Sequence, residues 1–242
     1  MFRHKGKTRT LLHNLQIASL LSFVAGMVNV AGFLAVKRLT TNVTGHFAFF
    51  VDEVFKLNFW GGFVYFLYIF CFFFGAFASN FLIELTSRKD DHYSYLVPAF
   101  IESFILLLIG CFGLHLAVTH PNLIACSLLF AMGLQNSLVT TISSASVRTT
   151  HLTGLFTDLG IELSQLFFYT TTEQQLRLRA SIKLRFTIIS FFLIGGVVSG
   201  VLYAQIRLHV LLITAAVLVI GLIYDSVKFR VLLLKRKLKS KD

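Results

Sequence analysis

The chain is short of charge. Charged residues make up 14% of its 242 positions, where an ordinary globular domain carries about 25%. A soluble fold of this size would lack the polar surface it needs, and its core would not require 27 Phe. The apolar share of 56% and a mean hydropathy of +0.77 equally exclude a disordered chain. Cysteine is scarce as well. Cys71, Cys111 and Cys126 are odd in number, lie inside apolar runs and lack metal-site spacing. They therefore imply neither a disulfide framework nor a zinc site, and read as small packing residues. Also missing are a zinc-type His-Glu-x-x-His, a phosphate loop, a Gly-x-Ser-x-Gly and a dinucleotide fingerprint. The outer connecting segments are too short for a catalytic domain, so neither an enzyme nor a cofactor is expected.

What remains is a multi-pass membrane protein. Its net charge of +11 comes from basic residues at the ends of apolar runs, such as Arg3, Lys5, Lys7 and Arg9, and the run from Lys235 to Lys241. That distribution belongs to cytoplasmic flanks and anionic lipid headgroups rather than to a face that reads nucleic acid. The expected partner is the lipid bilayer, and no nucleic acid.

Charge-free stretches place the crossings. Residues 10–36 and 57–83 carry no charge, and after Glu102 the next charge is Arg148, a gap of 45 residues. Such a gap holds two crossings of about 20 residues each. His120-Pro121-Asn122 divides it, because proline ends a helix and favours a turn. Residues 186–206 and 208–224 are uncharged on either side of Arg207. The pattern predicts an all-α polytopic protein of six transmembrane helices near 13–36, 60–84, 95–118, 122–142, 185–206 and 209–226. The first apolar run is far longer than a signal-peptide core, so it is read as a retained span. With the N-terminus inside, 18 Lys and Arg lie on the inner side, and only Lys37, Arg38, Lys56 and Arg207 lie outside. By the positive-inside rule both termini face the cytoplasm.

The most informative pattern is a duplication. Thr40-Thr41-Asn42-Val43-Thr44-Gly45 follows the first span, and Thr149-Thr150-His151-Leu152-Thr153-Gly154 follows the fourth. At this offset Phe47, Glu53 and Leu57 pair with Phe156, Glu162 and Leu166, giving seven identities in eighteen positions. Unrelated segments of this composition would give about one or two. Gly26 and Asn29 match Gly133 and Asn136, while Gly75 and Ser79 match Gly195 and Ser199. The chain thus reads as one transmembrane domain, 1–242. It holds repeat one over about 13–118, repeat two over about 122–226, and a basic tail at 227–242. Three spans per copy is odd, so the second copy enters the membrane from the opposite side. Inverted repeats of this kind recur in transporters, with binding sites at the repeat interface.

Each Thr-Gly segment opens a run of about fourteen helical residues, too short to span. In the second run Asp158, Glu162 and Gln165 share a face. Thr41 or Thr44, and Thr150 or Thr153, are candidate N-caps. The runs are re-entrant half-helices whose N-termini meet near the midplane, or interfacial helices at the two surfaces. In the first case their free N–H groups suit an anion or polar solute, with Thr lining the path and Gly45 and Gly154 admitting close backbones. In the second they are capped turns.

Ala131-Met132-Gly133-Leu134-Gln135-Asn136 and Val147-Arg148-Thr149-Thr150-His151-Leu152-Thr153-Gly154, followed by Thr157-Asp158-Leu159-Gly160, resemble the YoaK family. These are small bacterial multi-pass membrane proteins classed as a domain of unknown function. The resemblance covers roughly residues 13–226 and implies a six-helix bacterial inner-membrane protein, with no substrate or reaction. Where that family has Met-Thr-Gly-Asn, this chain has Val43-Thr44-Gly45-His46.

Polar residues within spans usually face the bundle interior. Asn29 and Asn136, at symmetric places, either contact a solute or hold helices together. Asp158 and Glu162 are candidates for proton or cation coupling, against a solvated helix face; His151 is a candidate relay or a hydrogen-bonding turn residue. Glu102, inside the third span, is a secondary proton-site candidate, because a buried carboxyl needs a partner or a proton. Gly195, Gly196, Ser199 and Gly200 form a small-residue surface for close packing within the chain or between protomers of a homo-oligomer. The expected function is passage of a small polar solute or ion along Asn29, Thr41, Thr44, Gly45, Asn136, Thr150, His151, Thr153, Gly154 and Asp158. The alternative is a non-transporting membrane scaffold or assembly protein.

Overall fold

The computed structural model describes residues 10–88, 94–143 and 145–239. Arg3, Lys5, Lys7, Arg9, Lys89 and Lys241 of the basic flanks lie outside the described residues. The elements are α1 (Leu11–Val36), α2 (Val43–Phe55), α3 (Phe59–Ser87), α4 (Leu96–Thr119), α5 (Pro121–Ile142), α6 (Leu152–Gln165), α7 (Thr172–Ile206) and α8 (Val210–Lys239). A 3-10 turn at Arg207–His209 separates the last two. No strand occurs among the described residues.

Five stretches are long and apolar enough to cross a bilayer. They are Leu11–Val36, Phe59–Ser87, Leu96–Thr119, Pro121–Ile142 and the 56-residue stretch Thr172–Val227. The last is broken at Arg207, whose φ of 52° and ψ of −137° no helix accommodates. α7 starts well before the predicted 185. Charge marks where the hydrocarbon ends rather than where the helix does, and Glu173 and Arg177 form an i,i+4 pair on its first turns.

The distribution of side chains is that of a lipid-facing bundle. Phe66, Phe70, Phe73, Phe74, Phe77 and Phe81 of α3 are all exposed, and three successive pairs from Phe70 to Phe81 stack along the helix. In water such a stripe would drive association; against acyl chains it is the ordinary surface. The interior is built from smaller residues on α1 and α5, including Ala18, Ala25, Ala31, Ala125 and Ala131. The protein is a multi-pass, all-α membrane protein.

Two glycine crossings hold the bundle. A Cβ added to Gly26 would lie 2.0 Å from the Phe192 carbonyl oxygen, and one at Gly195 would lie 2.2 Å from that of Phe23. These contacts join α1 to α7. A Cβ added to Gly75 would likewise strike the Phe130 carbonyl, and one at Gly133 that of Phe72, joining α3 to α5 in the same way. Only glycine permits such backbone approach.

The contacts also fix direction. Phe23 meets Gly195 and Val30 meets Gly200, so α1 and α7 run parallel. Tyr68 reaches Asn122 and Thr141 reaches Asn80, so α3 and α5 do too. In contrast, Gly32 lies on Leu128 while Gln135 binds the Leu21 carbonyl, so α1 and α5 are antiparallel. Gly110 on Leu212 and Gly113 on Leu208 make α4 and α8 antiparallel.

Candidate functional site

Both Thr-Gly segments fold back along the helix that precedes them. After α1, Lys37 takes a left-handed backbone (φ 53°) and its N–H bonds the Phe33 carbonyl. The chain then reverses. Thr40 Oγ1 donates to the Val28 carbonyl at 3.3 Å, and Thr41 Oγ1 donates to Asn29 Oδ1 at 2.7 Å. Asn29 sits seven residues before the end of α1, about 10 Å along its axis at 1.5 Å per residue. From that depth α2 climbs back against α3. His46 packs on Tyr68, Phe49 stacks on Tyr65, and Val54 and Glu53 reach Gly62 and Gly61.

The second segment repeats the construction. Thr150 Oγ1 donates to Asn136 Oδ1 at 3.0 Å, and Thr149 Oγ1 donates to the same oxygen at 3.4 Å. Gln135 Nε2 donates both to Thr149 Oγ1 (3.2 Å) and across to the Leu21 carbonyl (2.7 Å). Asn136 Nδ2 closes the set on the Met132 carbonyl. α6 then returns against α7. Arg185 Nε meets Glu162 Oε2 at 2.8 Å, Arg185 Nη1 meets Asp158 Oδ2 at 3.0 Å, and Ser181 Oγ donates to Glu162 at 2.6 Å. Thr40 of the first segment holds α1 at Val28, and Gln135 of α5, which also holds Thr149, holds it at Leu21. Seven residues separate those points, again about 10 Å.

A cavity of about 460 Å³ opens at the second segment, lined by His151, Gly154, Asp158, Arg148, Arg185 and Asn14, among others. Its wall combines a helix N-terminus, two guanidiniums, a carboxylate and an imidazole. It is suited to hold a small hydrated or polar species. Among the described residues no group of three His, Cys, Asp or Glu is placed to hold a metal ion.

The structure redistributes the roles expected from sequence. Asn42, not Thr41 or Thr44, caps α2, accepting from the Gly45 N–H at 3.0 Å. His151 holds the corresponding place at α6, where no side-chain cap bond forms. Thr41 and Thr150 instead clamp the segments to the part-buried amides of Asn29 and Asn136. Thr44 and Thr153 are exposed at the segment ends. A Cβ on Gly45 would strike Leu39 at 2.5 Å and one on Gly154 the His151 ring at 2.7 Å. Asp158 and Glu162 are ion-paired, not a bare solvated face. Glu102 lies apart from both segments, fully buried in α4.

Sequence reasoning missed Arg185, Ser181 and Gln135. Arg185 was legible only as flanking charge. Gln135 stood beside Asn136 in the same uncharged span, and its amide was the available signal.

The family model described as "Protein of unknown function (DUF1275)" matches residues 17–224. The chain belongs to that family. The match runs from within α1 to within α8 and includes both Thr-Gly segments, and it agrees with the YoaK resemblance. No curated protein and no solved structure matches the chain.

Proposed function

We propose that the protein passes a small polar solute or ion through a bacterial inner membrane. In this reading it has six spans in two inverted three-helix repeats, with α2 and α6 as re-entrant half-helices and both termini cytoplasmic. The observation that carries it is the repeated clamp: Thr41 on Asn29 and Thr150 on Asn136. The two clamps sit on antiparallel helices, Asn29 on α1 and Asn136 on α5, and each folds its segment back along the helix that precedes it. The antiparallel pairs α1/α5 and α4/α8, and the two interchangeable glycine crossings, support the inversion. The break at Arg207 supports reading the last stretch as two spans.

Two helix N-termini directed inward supply partial positive charge where a carboxylate, phosphate or polar solute would otherwise lose its water. Thr44, Thr153, Gly45 and Gly154 line the approach, and the cavity beside His151 is the cytoplasmic vestibule. Arg148 and Arg185 draw in anions, while Asp158 and Glu162 hold Arg185 in place. A scaffold reading draws on a different fact: Asn29, Asn136, Thr41 and Thr150 direct their bonds to one another.

Two measurements separate these readings. Cysteines placed at 44, 45, 153 and 154, with Cys71, Cys111 and Cys126 replaced, are expected to react with membrane-impermeant thiol reagents from their own sides. Labelling from neither side favours the scaffold. In proteoliposomes, flux across a panel of polar solutes is expected to fall in Gly154→Leu, whose side chain forces the His151 ring into the vestibule. Equal flux for every solute removes the passage reading.

A further inference from the structure

Among the described residues five buried side-chain oxygens have no hydrogen-bond partner; besides Ser79 Oγ on α3, four belong to three neighbouring helices: both carboxyl oxygens of Glu102 on α4, Oε1 of Gln135 on α5, and Oγ of Ser22 on α1. All three residues are completely buried. Their levels coincide. α4 and α5 form a tight antiparallel hairpin in which Gly113 lies beside Ile124. Eleven residues from that contact along each helix lead to Glu102 and to Gln135. Gly110 lies on Leu212, and eight residues from there lead to Glu102 and to Ile220 of α8. The next residue, Gly221, packs on Leu20 of α1, two positions from Ser22. Glu102 therefore lies level with Gln135 and Ser22, and the buried stripe of α4 carries it (Ala99, Glu102, Leu106, Ile109, Gly113).

A carboxylate buried without donors is costly in hydrocarbon, and a second unpaired acceptor beside it makes matters worse. A proton relieves both at once, because a neutral carboxyl has one O–H to donate and Gln135 Oε1 is an acceptor in want of a donor. The charged and titratable groups on the surrounding elements are few. α5 carries no charged residue; α8 has Asp225 and, of charged residues beyond it, only basic ones from Lys228 onward, α1 has His13 and α3 Glu84, while Arg207 and His209 stand at the other end of α4, His209 on the Gly110 carbonyl. None of them neutralises Glu102 at its own level.

We propose that Glu102 and Gln135 form a buried proton-binding site that works the inner Thr-Gly segment through Thr149. With the proton on Glu102, the Gln135 carbonyl accepts from it, and the Gln135 amide N–H groups hold the Leu21 carbonyl and Thr149. When Glu102 releases the proton to water, its carboxylate attracts donors. The Gln135 amide turns its N–H groups to the carboxylate and lets go of Leu21 and Thr149. The α6 tip is then held by Asn136 alone. The second half of this mechanism rests on the passage reading above; the first half does not.

Infrared titration of the full chain in lipid nanodiscs tests the first half. A protonated-carboxyl band is expected that disappears in Glu102→Gln and moves in frequency in Gln135→Met. A spectrum in which no such band depends on Glu102 overturns the site. The second half is read as thiol labelling of Thr153→Cys against pH. The rate is expected to rise several-fold as Glu102 deprotonates, and to be independent of pH in Glu102→Gln and in Gln135→Met. A pH dependence that survives both substitutions overturns the link to Thr149, even where flux shows the passage itself to exist.

Discussion

The α2/α3 and α6/α7 hairpins share a backbone plan and differ in chemistry at one level. Phe49 stacks on Tyr65 with ring centroids 5.2 Å apart. Their counterparts in the second half are Asp158 and Arg185, an ion pair at 3.0 Å. One turn on, the equivalence holds: Glu53 is bonded by Asn58 beside Gly61, and Glu162 by Ser181 and Arg185. So the duplicated parts are those that set backbone position: the glycine crossings, the Thr–Asn clamps and the glutamate at the hairpin mouth. The parts that diverged meet different surroundings. An aromatic cluster around His46 closes the first hairpin, and a charged cavity opens at the second. Likeness is kept where backbone geometry requires it and lost where the side chains of the two hairpins meet different neighbours.

The glycine crossings are the strongest way to break this equivalence. Each of Gly26, Gly75, Gly133 and Gly195 faces a backbone carbonyl that cannot swing aside. Alanine at any of the four is expected to destabilise by about 3 kcal/mol, the upper end of overpacking effects. Gly26→Ala and Gly133→Ala should match one another, read as denaturation midpoints in detergent. Gly160 is the control. It has nothing within 4 Å of a built Cβ, and Gly160→Ala is expected to stabilise by about 0.5 kcal/mol through helix propensity. Unequal losses at Gly26 and Gly133 would break the correspondence.

The second test exchanges the divergent pairs. Arg185→Met strips the part-buried Glu162 of its guanidinium and is expected to lose about 2 kcal/mol, the range for hydrogen bonds to charged groups. Tyr65→Met loses an aromatic pair, about 1 kcal/mol. Moving the ion pair outward with Phe49→Asp and Tyr65→Arg sharpens the point. The double variant is expected to be more stable than the sum of the two singles by about 1 kcal/mol, a coupling typical of contacting residues. Additive losses would show that the two hairpins do not place these positions alike.

Much of this was written in the sequence where periodicity and repetition carry information. The long helices followed from charge-free stretches, the hairpin turn from Pro121, and the equivalence of the two Thr-Gly segments from their shared residues. What stayed hidden was partner choice. Thr41 and Thr44 are equally good caps on paper; only the depth of the fold-back puts Thr41 against Asn29 and leaves capping to Asn42. Arg185 read as a flank because sequence shows its neighbours along the chain. It does not show α6 lying across it. Glu102 was legible as an anomaly, but not its common level with Gln135, which depends on the α4/α5 hairpin.

The clamps themselves give a smaller effect with a definite asymmetry. Asn29 accepts one threonine hydroxyl, whereas Asn136 accepts two and also donates to the Met132 carbonyl. A neutral hydrogen bond contributes about 1 kcal/mol net. Asn29→Ala is therefore expected to lose about 1 kcal/mol and Asn136→Ala about 2, with denaturation midpoints as the measure. Equal losses would mean that neither the 3.4 Å contact from Thr149 nor the bond to the Met132 carbonyl adds anything.

At the foot of the scale is the Lys56–Asp52 pair at the end of α2, an i,i+4 contact at 2.6 Å with both side chains more than half exposed (59% and 51%). Water screens such pairs almost completely, and ordering two long side chains offsets what attraction is left. The Asp52 carboxylate, which bonds it, holds the Lys56 ammonium above its ordinary range. Whatever the pair contributes is thus present at neutral pH and, on the lysine's side, is lost as pH rises through the alkaline range where lysine loses its proton. Lys56→Gln is expected to leave the denaturation midpoint at neutral pH unchanged. Its counterpart in the second half is already Gln165, so that hairpin does without the charge. A measurable loss in Lys56→Gln would show that the α2/α3 hairpin depends on a surface pair the α6/α7 hairpin dispenses with, and the two would differ in more than the aromatic and charged clusters.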